Sequence, residues 1–209
     1  MPQLPTLKIN EIFWSFQGEG KRAGYPTIFL RLSGCSYRCS YCDTRDSWEN
    51  GTVLPVDEII GQIDGYRNRY PQSQVVLTGG EPLEQDLAPL TAALKQKGYF
   101  LAIETNGGCY RELPIDWWAV SPKDVSGYYL HPDLIPHIHE IKLVVNSHLT
   151  PDVVRHIRSL VPGVPVLLQP EGADEERYAR TFSLFQLCQE KGIENIWAGA
   201  QLHQVYRVR

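Results

Sequence analysis

Short apolar, β-branched runs alternate with longer segments of helical period along most of the chain. The short runs predict strands at residues 27–32, 74–78, 100–104, 117–120, 140–145 and 164–169, with a last short strand at 195–199. The longer segments predict helices at residues 56–70, 86–97, 151–160 and 174–191. Strands that alternate with helices are typical of βα units around a parallel sheet. The sequence therefore predicts an α/β fold of about six strands, an incomplete barrel or an open wound sheet.

Polar or glycine-rich stretches follow five of the predicted strands. They are a cysteine-containing segment after residues 27–32, Gly79-Gly80-Glu81-Pro82, Thr105-Asn106-Gly107, Ser121-Pro122-Lys123 and Pro170-Glu171-Gly172. In parallel α/β folds, ligands bind at the carboxyl ends of the strands. Core packing does not require this pattern, so the sequence predicts one binding site at that edge.

Length and charge limit the classes of protein to which the chain can belong. Its 209 residues, 43% hydrophobic, predict one domain over residues 1–209 with a sizeable core. A net charge of -4 provides no basic surface for a polyanion, so we expect no nucleic-acid partner. The apolar runs are too short to span a bilayer, and the first residues lack a secretory signal pattern. We expect a soluble, cytoplasmic protein with no membrane partner.

The five cysteines point to metal chemistry rather than to disulfides. An odd number in a reducing compartment argues against a disulfide framework. Three of them, Cys35, Cys39 and Cys42, fall within eight residues, and thiolates at this spacing can hold three corners of a metal centre. Gly34 gives this loop a flexible entry. Cys109 and Cys188 are expected to pack as small apolar residues.

Two kinds of metal centre are compatible with this spacing. A tetrahedral zinc site needs a fourth protein ligand, and the next candidates along the chain are Cys109 and His131. An iron–sulfur cluster with three cysteine ligands would instead leave one iron free to bind a substrate or cofactor.

The cysteine spacing, with Tyr41 just before the last cysteine, resembles the signature of radical S-adenosylmethionine (SAM) enzymes. The Gly79-Gly80-Glu81-Pro82 segment strengthens this resemblance. It implies a partial parallel β/α barrel and a [4Fe-4S] cluster on Cys35, Cys39 and Cys42, carried by a cysteine loop at residues 33–48. SAM would bind the fourth iron. Reduction of the cluster would then cleave SAM and form a 5′-deoxyadenosyl radical.

Residues 11–20, Glu-Ile-Phe-Trp-Ser-Phe-Gln-Gly-Glu-Gly, resemble the opening of the 7-carboxy-7-deazaguanine synthases of queuosine biosynthesis. The likeness continues through Arg31, Cys42-Asp43-Thr44, residues 78–82, 103–107 and 121–123, Lys142, Gln169-Pro170 and Gln201-x-His203. These lyases convert 6-carboxy-5,6,7,8-tetrahydropterin to 7-carboxy-7-deazaguanine with loss of ammonia. The radical removes a hydrogen from the carbon that bears the carboxylate, the ring contracts, and the hydrogen returns.

The resemblance also implies Mg²⁺, a flavodoxin or ferredoxin as electron donor, a homodimer, and a role for each matching residue. Substrate contacts are implied for an N-terminal segment at residues 8–26, with Phe16, Gln17, Gly18 and Glu19, and for Arg31, Thr78 and the chain end at Arg209. SAM contacts are implied for Tyr41, Gly80, Glu81, Glu104, Ser121, Pro122, Lys123, Gln169 and Pro170. The hydroxyl of Thr44 is the implied Mg²⁺ ligand.

Several of these residues have a structural alternative. A buried Arg31 needs an anionic partner, which could be the substrate carboxylate or a structural carboxylate at Glu11 or Glu19. Thr44 could instead cap a helix or form a turn. The Gln-Gly-Glu-Gly loop (residues 17–20) could be a surface turn.

Two other functions are compatible with the cysteine spacing. One is a radical SAM activase that places a glycyl radical on a partner protein. The other is a metal-binding module that is not an enzyme.

Overall fold

The structure, a computed structural model, describes residues 5–208. These residues form two compact units. The first contains residues 5–16, Tyr25–Thr105 and Cys109–Trp118, and the second contains Gln17–Gly24, Asn106–Gly108 and residues 119–208. The expected single domain stays a prediction.

The first unit is a mixed sheet with two connecting helices. Its strands are β1 (Thr6–Phe16), β2 (Pro26–Leu32), β3 (Thr52–Pro55), β4 (Gln74–Gly79) and β5 (Leu101–Thr105). They lie in the order β3-β1-β2-β4-β5, with β1 antiparallel to β2 and β3, and with β2, β4 and β5 parallel. The helices α1 (Val56–Arg69) and α2 (Ala88–Gln96) lead into β4 and β5.

The core of the first unit explains why its central strands read as continuous apolar runs. β4 is buried along nearly its whole length, as expected of a parallel strand that is covered on both faces. Ile59 and Ile63 of α1 are fully buried, four residues apart on one face of that helix. Leu90 and Leu94 of α2 repeat this spacing and are equally buried. Each such side chain contributes roughly 1.5–3 kcal/mol through burial.

The second unit is built on parallel strands. These are β6 (Trp117–Val120), whose last two residues belong to this unit, β7 (Glu140–Val145), β8 (Val166–Pro170) and β9 (Ile196–Ala198). Three helices accompany them, α3 (Pro151–Leu160), α4 (Glu175–Glu190) and α5 (Leu202–Val205). The side chains of Thr150 and Asp174 accept backbone hydrogen bonds at the starts of α3 and α4, which fixes where these helices begin.

The predicted strands and the four predicted helices are all confirmed, with bounds that differ by no more than two residues. Three elements were not predicted, β1, β3 and α5. The alternation of β1 is interrupted by a register shift between Ile9 and Glu11, which obscures its two-residue period. β3 and α5 have four residues each, too few for a periodicity.

Over residues 5–208, none of the helices has both the length and the apolar character needed to cross a membrane.

Candidate active site

The cysteine loop leaves the carboxyl end of β2 and turns back on itself. Gly34 has a φ of 106° and Arg38 a φ of 48°, both in the left-handed region that makes such turns. The backbone N–H of Cys42 donates to the carbonyl oxygen of Cys39 at 3.1 Å. Cys39 is buried, whereas Cys35 and Cys42 are half-buried. All three lie on a single folded loop, and none of them forms a disulfide within residues 5–208.

The segment after β4 anchors the base of this loop. The N–H of Gly80 donates to Leu32 O at 3.0 Å, and the N–H of Glu81 donates to Gly34 O at 2.7 Å. A Cβ on Gly80 would lie 1.9 Å from Gly34 O, so the two backbones touch. Gly80 therefore has a packing role against the cysteine loop.

A second anchor joins the loop to Glu84. Its Oε1 accepts from the backbone N–H of Ser36 at 3.0 Å and from the Ser36 hydroxyl at 2.6 Å. Ser36 directly follows Cys35, so Glu84 fixes the position of the first thiol. The role of Glu84 could not be predicted from the sequence, because Ser36 and Glu84 are 48 positions apart.

The surroundings of Cys35 favour the neutral thiol until a cation binds. Its pKa is raised, because burial, together with the carboxylates of Glu84 and Glu81, outweighs the backbone hydrogen bonds from Tyr37 and Arg38. The same backbone N–H groups would stabilise a thiolate once a metal replaces the proton.

The three cysteines of the loop match the ligand set of an iron–sulfur cluster. Among residues 5–208, no three His, Cys, Asp or Glu side chains are grouped to hold a single metal ion. A cluster with three cysteine ligands binds each thiolate at a different iron, so its thiolates need not converge on one point. The three cysteines on one anchored loop fit that requirement.

Polar side chains at the ends of β4 and β5 bond to one another across the sheet. Thr78 Oγ1 donates to Glu104 Oε2 at 3.0 Å, and Thr105 Oγ1 donates to Glu81 Oε1 at 2.7 Å. Glu81 is buried and also accepts from the N–H of Leu83 at 3.1 Å. The structure therefore brings Thr78, Glu81 and Glu104 to one strand edge, as predicted.

Arg31 lies on β2 and pairs with a carboxylate of β1. Its Nε is 2.9 Å from Glu11 Oε1, and the two residues are opposite each other in the antiparallel register. Their side chains are 18% and 26% exposed. The ion pair with Glu11 is thus present, while the proposed contact with a substrate carboxylate stays a prediction.

Thr44 precedes a short 3₁₀ helix, Arg45–Trp48, but its hydroxyl makes no capping hydrogen bond. Thr44 Oγ1 lies 3.7 Å from Cys42 Sγ. Tyr41 is half-buried on the same loop, and Phe16 is half-buried at the end of β1. The roles predicted for these three residues stay predictions.

In the second unit, the Gln-Gly-Glu-Gly loop is tied into the fold rather than lying free on the surface. Gln17 is buried, and its Oε1 accepts from the N–H of Glu19 at 3.1 Å. Glu19 Oε2 lies 2.9 Å from the Nζ of Lys142, which is on β7. Gly18 is buried as well.

The ends of β6 and β8 carry the other residues predicted to contact SAM. Lys123 Nζ donates to Ser121 Oγ at 2.8 Å, and Pro122 between them is buried. Gln169 is 2% exposed and Pro170 is buried at the end of β8. Within the described part of the chain, neither atom of the Gln169 amide has a hydrogen-bond partner. Because a buried amide without partners is costly, Gln169 fits a site that a polar ligand completes.

Two cysteines and the chain end complete the predicted set. Cys188 is fully buried in α4, and Cys109 is half-buried. Burial raises the pKa of the Cys109 thiol, and the Glu81 carboxylate raises it further. Arg209 lies outside the described residues.

Comparison with known proteins decides the family. The model of the Radical SAM superfamily matches residues 30–199. A 7-carboxy-7-deazaguanine synthase from Rhodospirillum rubrum is 37% identical over 181 residues, which cover 79% of this chain and 75% of that protein. The chain belongs to the 7-carboxy-7-deazaguanine synthases of the radical SAM superfamily. The synthase from Halobacterium salinarum is 48% identical over 125 residues, 58% of this chain and 48% of that protein.

A solved structure agrees with this family. The crystal structure of QueE from Escherichia coli matches with a TM-score of 0.75 and 29% identity, and the match covers 95% of each chain. The predicted fold class, an incomplete parallel β/α barrel of the radical SAM type, is confirmed. The predicted family and enzyme class are also confirmed, and membership of the radical SAM synthases implies a [4Fe-4S] cluster and SAM. Neither alternative function is favoured.

Proposed function

We propose that this radical SAM synthase converts 6-carboxy-5,6,7,8-tetrahydropterin to 7-carboxy-7-deazaguanine with loss of ammonia, as a step towards queuosine or another 7-deazapurine. The observation that carries the proposal is the anchored loop with Cys35, Cys39 and Cys42, in a chain that belongs to this family. When bound, the cluster and SAM supply a 5′-deoxyadenosyl radical that removes a hydrogen atom from the substrate.

The residues of this chain hold and orient the bound groups. Cys35, Cys39 and Cys42 would hold the cluster, leaving one iron for SAM. Gln169 supports a polar contact to SAM, because its buried amide has both a donor and an acceptor to offer. We assign further SAM contacts to Tyr41, Gly80, Glu81, Glu104, Ser121, Pro122, Lys123 and Pro170.

The pterin would contact polar side chains of the Gln-Gly-Glu-Gly loop and the guanidinium of Arg31. Gln17 provides a buried amide and Glu19 a half-buried carboxylate, which suits the polar edge of a pterin. Arg31 provides a guanidinium for the substrate carboxylate. We assign further contacts to Phe16, Gly18, Thr78 and the chain end at Arg209.

The remaining partners follow from the same proposal. Thr44 would bind Mg²⁺ through its hydroxyl, which makes no capping bond. A small-molecule substrate and a one-electron reductant are required, and we assign the reductant to a flavodoxin or ferredoxin. We further propose a cytoplasmic homodimer.

A product assay tests the proposed function. Anaerobically reconstituted protein, given SAM, Mg²⁺, dithionite and carboxytetrahydropterin, is expected to release 7-carboxy-7-deazaguanine and ammonia. SAM should support many turnovers, because 5′-deoxyadenosine would return a hydrogen atom to the rearranged substrate radical, so that SAM can re-form. Mass spectrometry of the product is the measurement. If SAM were cleaved fully but no deazaguanine formed, the proposed pterin substrate would be wrong, while the assignment as a radical SAM enzyme would stand.

Changing Arg31 to alanine is expected to weaken substrate binding and to spare the cluster. Loss of charge-assisted hydrogen bonds to a carboxylate should raise KM for the pterin about 10- to 150-fold. Iron content and substrate-free SAM cleavage should stay at the wild-type level.

Glu11→Gln is the matched control for Arg31→Ala. It breaks the same 2.9 Å ion pair but leaves the guanidinium in place. A KM near the wild-type value in Glu11→Gln supports a direct contact between Arg31 and substrate. An equal rise of KM in both variants would mean that Arg31 acts through the ion pair alone.

A further inference from the structure

The Gln-Gly-Glu-Gly loop is held from two sides by elements of its own unit. On one side, the N–H of Lys21, next to the loop, donates to Glu140 Oε2 on β7 at 2.6 Å. On the other, the N–H of Leu202 in α5 donates to Gly18 O at 2.9 Å. The loop therefore joins a central strand to the last helix.

Glu19 is the side chain at which these two sides meet. Its Oε2 lies 2.9 Å from Lys142 Nζ on β7. Its Oε1 accepts from Gln201 Nε2, just before α5, at 2.8 Å. Gln204 Nε2 in turn donates to Gln201 Oε1 at 2.7 Å, which fixes the orientation of the Gln201 amide. Each carboxylate oxygen of Glu19 thus has its own donor and keeps a lone pair for a further N–H group.

The burial of Lys142 is costly. Its side chain is 6% exposed, on a strand where the flanking Ile141 and Leu143 are fully buried. Lysine is almost never so buried unless it is paired. Apolar residues often replace such a pair with no loss of stability, so stability does not account for the charge. Fixing the position of a carboxylate does account for it.

The glycines of the loop show how closely it fits. A Cβ on Gly18 would lie 2.1 Å from His203 Nδ1, and one on Gly20 would lie 2.2 Å from Glu140 Oε1. Both are nearer than any side chain tolerates, so the loop packs directly against α5 and β7. This packing leaves little freedom for the backbone that carries Glu19.

We propose that Lys142 and Gln201 are positioning residues that hold the Glu19 carboxylate in place for the substrate. Lys142 supplies the charge that keeps Glu19 oriented from β7, and Gln201 supplies the second donor from the C-terminal side. The inference rests on the proposed function, because it takes the Gln-Gly-Glu-Gly loop as part of the pterin site. Lys142 and Gln201 match family positions for which the resemblance implied no role, and the inference gives each of them one.

Steady-state kinetics and hydrogen exchange test the proposal together. Lys142→Met removes the charge and keeps the bulk, and it should raise KM for carboxytetrahydropterin about tenfold or more with little change in kcat. Backbone amides of residues 17–24 should exchange faster in the substrate-free protein. Lys142→Arg, which keeps the cation, should recover most of the wild-type KM. Iron content should be unchanged in both variants.

Two further variants keep the test decisive. Gln201→Leu removes only the second donor and should shift KM and exchange in the same direction by less, so it carries the test if Lys142→Met does not fold. Lys95→Met is the control, because it breaks the 2.7 Å pair of Lys95 with Asp116 in the other unit and should change neither readout.

Three results would overturn the assignment. They are unchanged exchange of residues 17–24 in Lys142→Met, an unchanged KM in that variant with or without a loss of kcat, and an equal rise of KM in Lys142→Arg. Failure of the proposed function looks different. Wild-type protein would then form no deazaguanine, while the exchange experiment, which needs no substrate, would still report whether Lys142 holds the loop.

Discussion

Cys39→Ala is expected to abolish reductive cleavage of SAM. Cys39 is the buried member of the three loop thiols and lies between the other two in sequence. Without its thiolate, the loop offers two ligands to a cluster that needs three, so a stable [4Fe-4S] centre should not form. The measurements are 5′-deoxyadenosine formation with dithionite, and iron content with the visible absorption of the reconstituted protein.

The chain offers two controls for this variant. Cys188→Ala removes a fully buried thiol from α4 and should keep cleavage, since only packing is lost. Cys109→Ala tests the thiol whose pKa the Glu81 carboxylate raises, and it should also keep cleavage. Cleavage that persists in Cys39→Ala and disappears in Cys109→Ala would show that the cluster is held by a different set of cysteines.

The parallel strands, and the strand ends that carry the candidate site residues, could be predicted because both depend on local sequence. Buried parallel strands read as apolar runs, as in β4 and β5 of the first unit, and the stretches that follow such neighbouring strands lie at the same edge of the sheet. The cysteine spacing is also local. These features therefore needed no knowledge of the tertiary structure.

The contacts that hold the site could not be predicted, because they join distant parts of the chain. Ser36 and Glu84 are 48 residues apart, Glu19 and Lys142 are 123 apart, and Glu19 and Gln201 are 182 apart. No spacing rule relates such residues. Their pairing depends on strand order, which is a property of the whole fold.

Arg31 shows where a local argument stops. A buried guanidinium needs an anionic partner, and the candidates from the sequence were Glu11, Glu19 and the substrate carboxylate. The antiparallel register of β1 and β2 places Glu11 directly opposite Arg31, while Glu19 bonds to Lys142. That register depends on β1, which was not predicted because its alternation is interrupted. Only the structure could therefore show which of the two glutamates pairs with Arg31.

Gly80→Ala is expected to displace the cysteine loop and to lose most of the cluster. The new Cβ would lie 1.9 Å from Gly34 O, a backbone atom that cannot rotate away as a side chain can. Relief of this clash must move the hydrogen bonds from Gly80 to Leu32 and from Glu81 to Gly34. Such overpacking costs about 1–3 kcal/mol. The displacement falls directly before Cys35, so iron content and SAM cleavage should drop with the melting temperature.

Gly61→Ala separates this clash from a general effect of adding a methyl group. Gly61 lies inside α1, where a new Cβ would have nothing within 4 Å apart from its chain neighbours and the backbone of the helix itself, and neither glycine has a positive φ. Alanine there should stabilise the helix by about 0.5–1 kcal/mol and leave iron content at the wild-type level. If Gly80→Ala kept a full cluster at a lowered melting temperature, the contact with Gly34 would matter for folding alone. A cluster lost together with the two hydrogen bonds would instead identify Gly80 as the residue through which the segment after β4 sets the position of the first thiol.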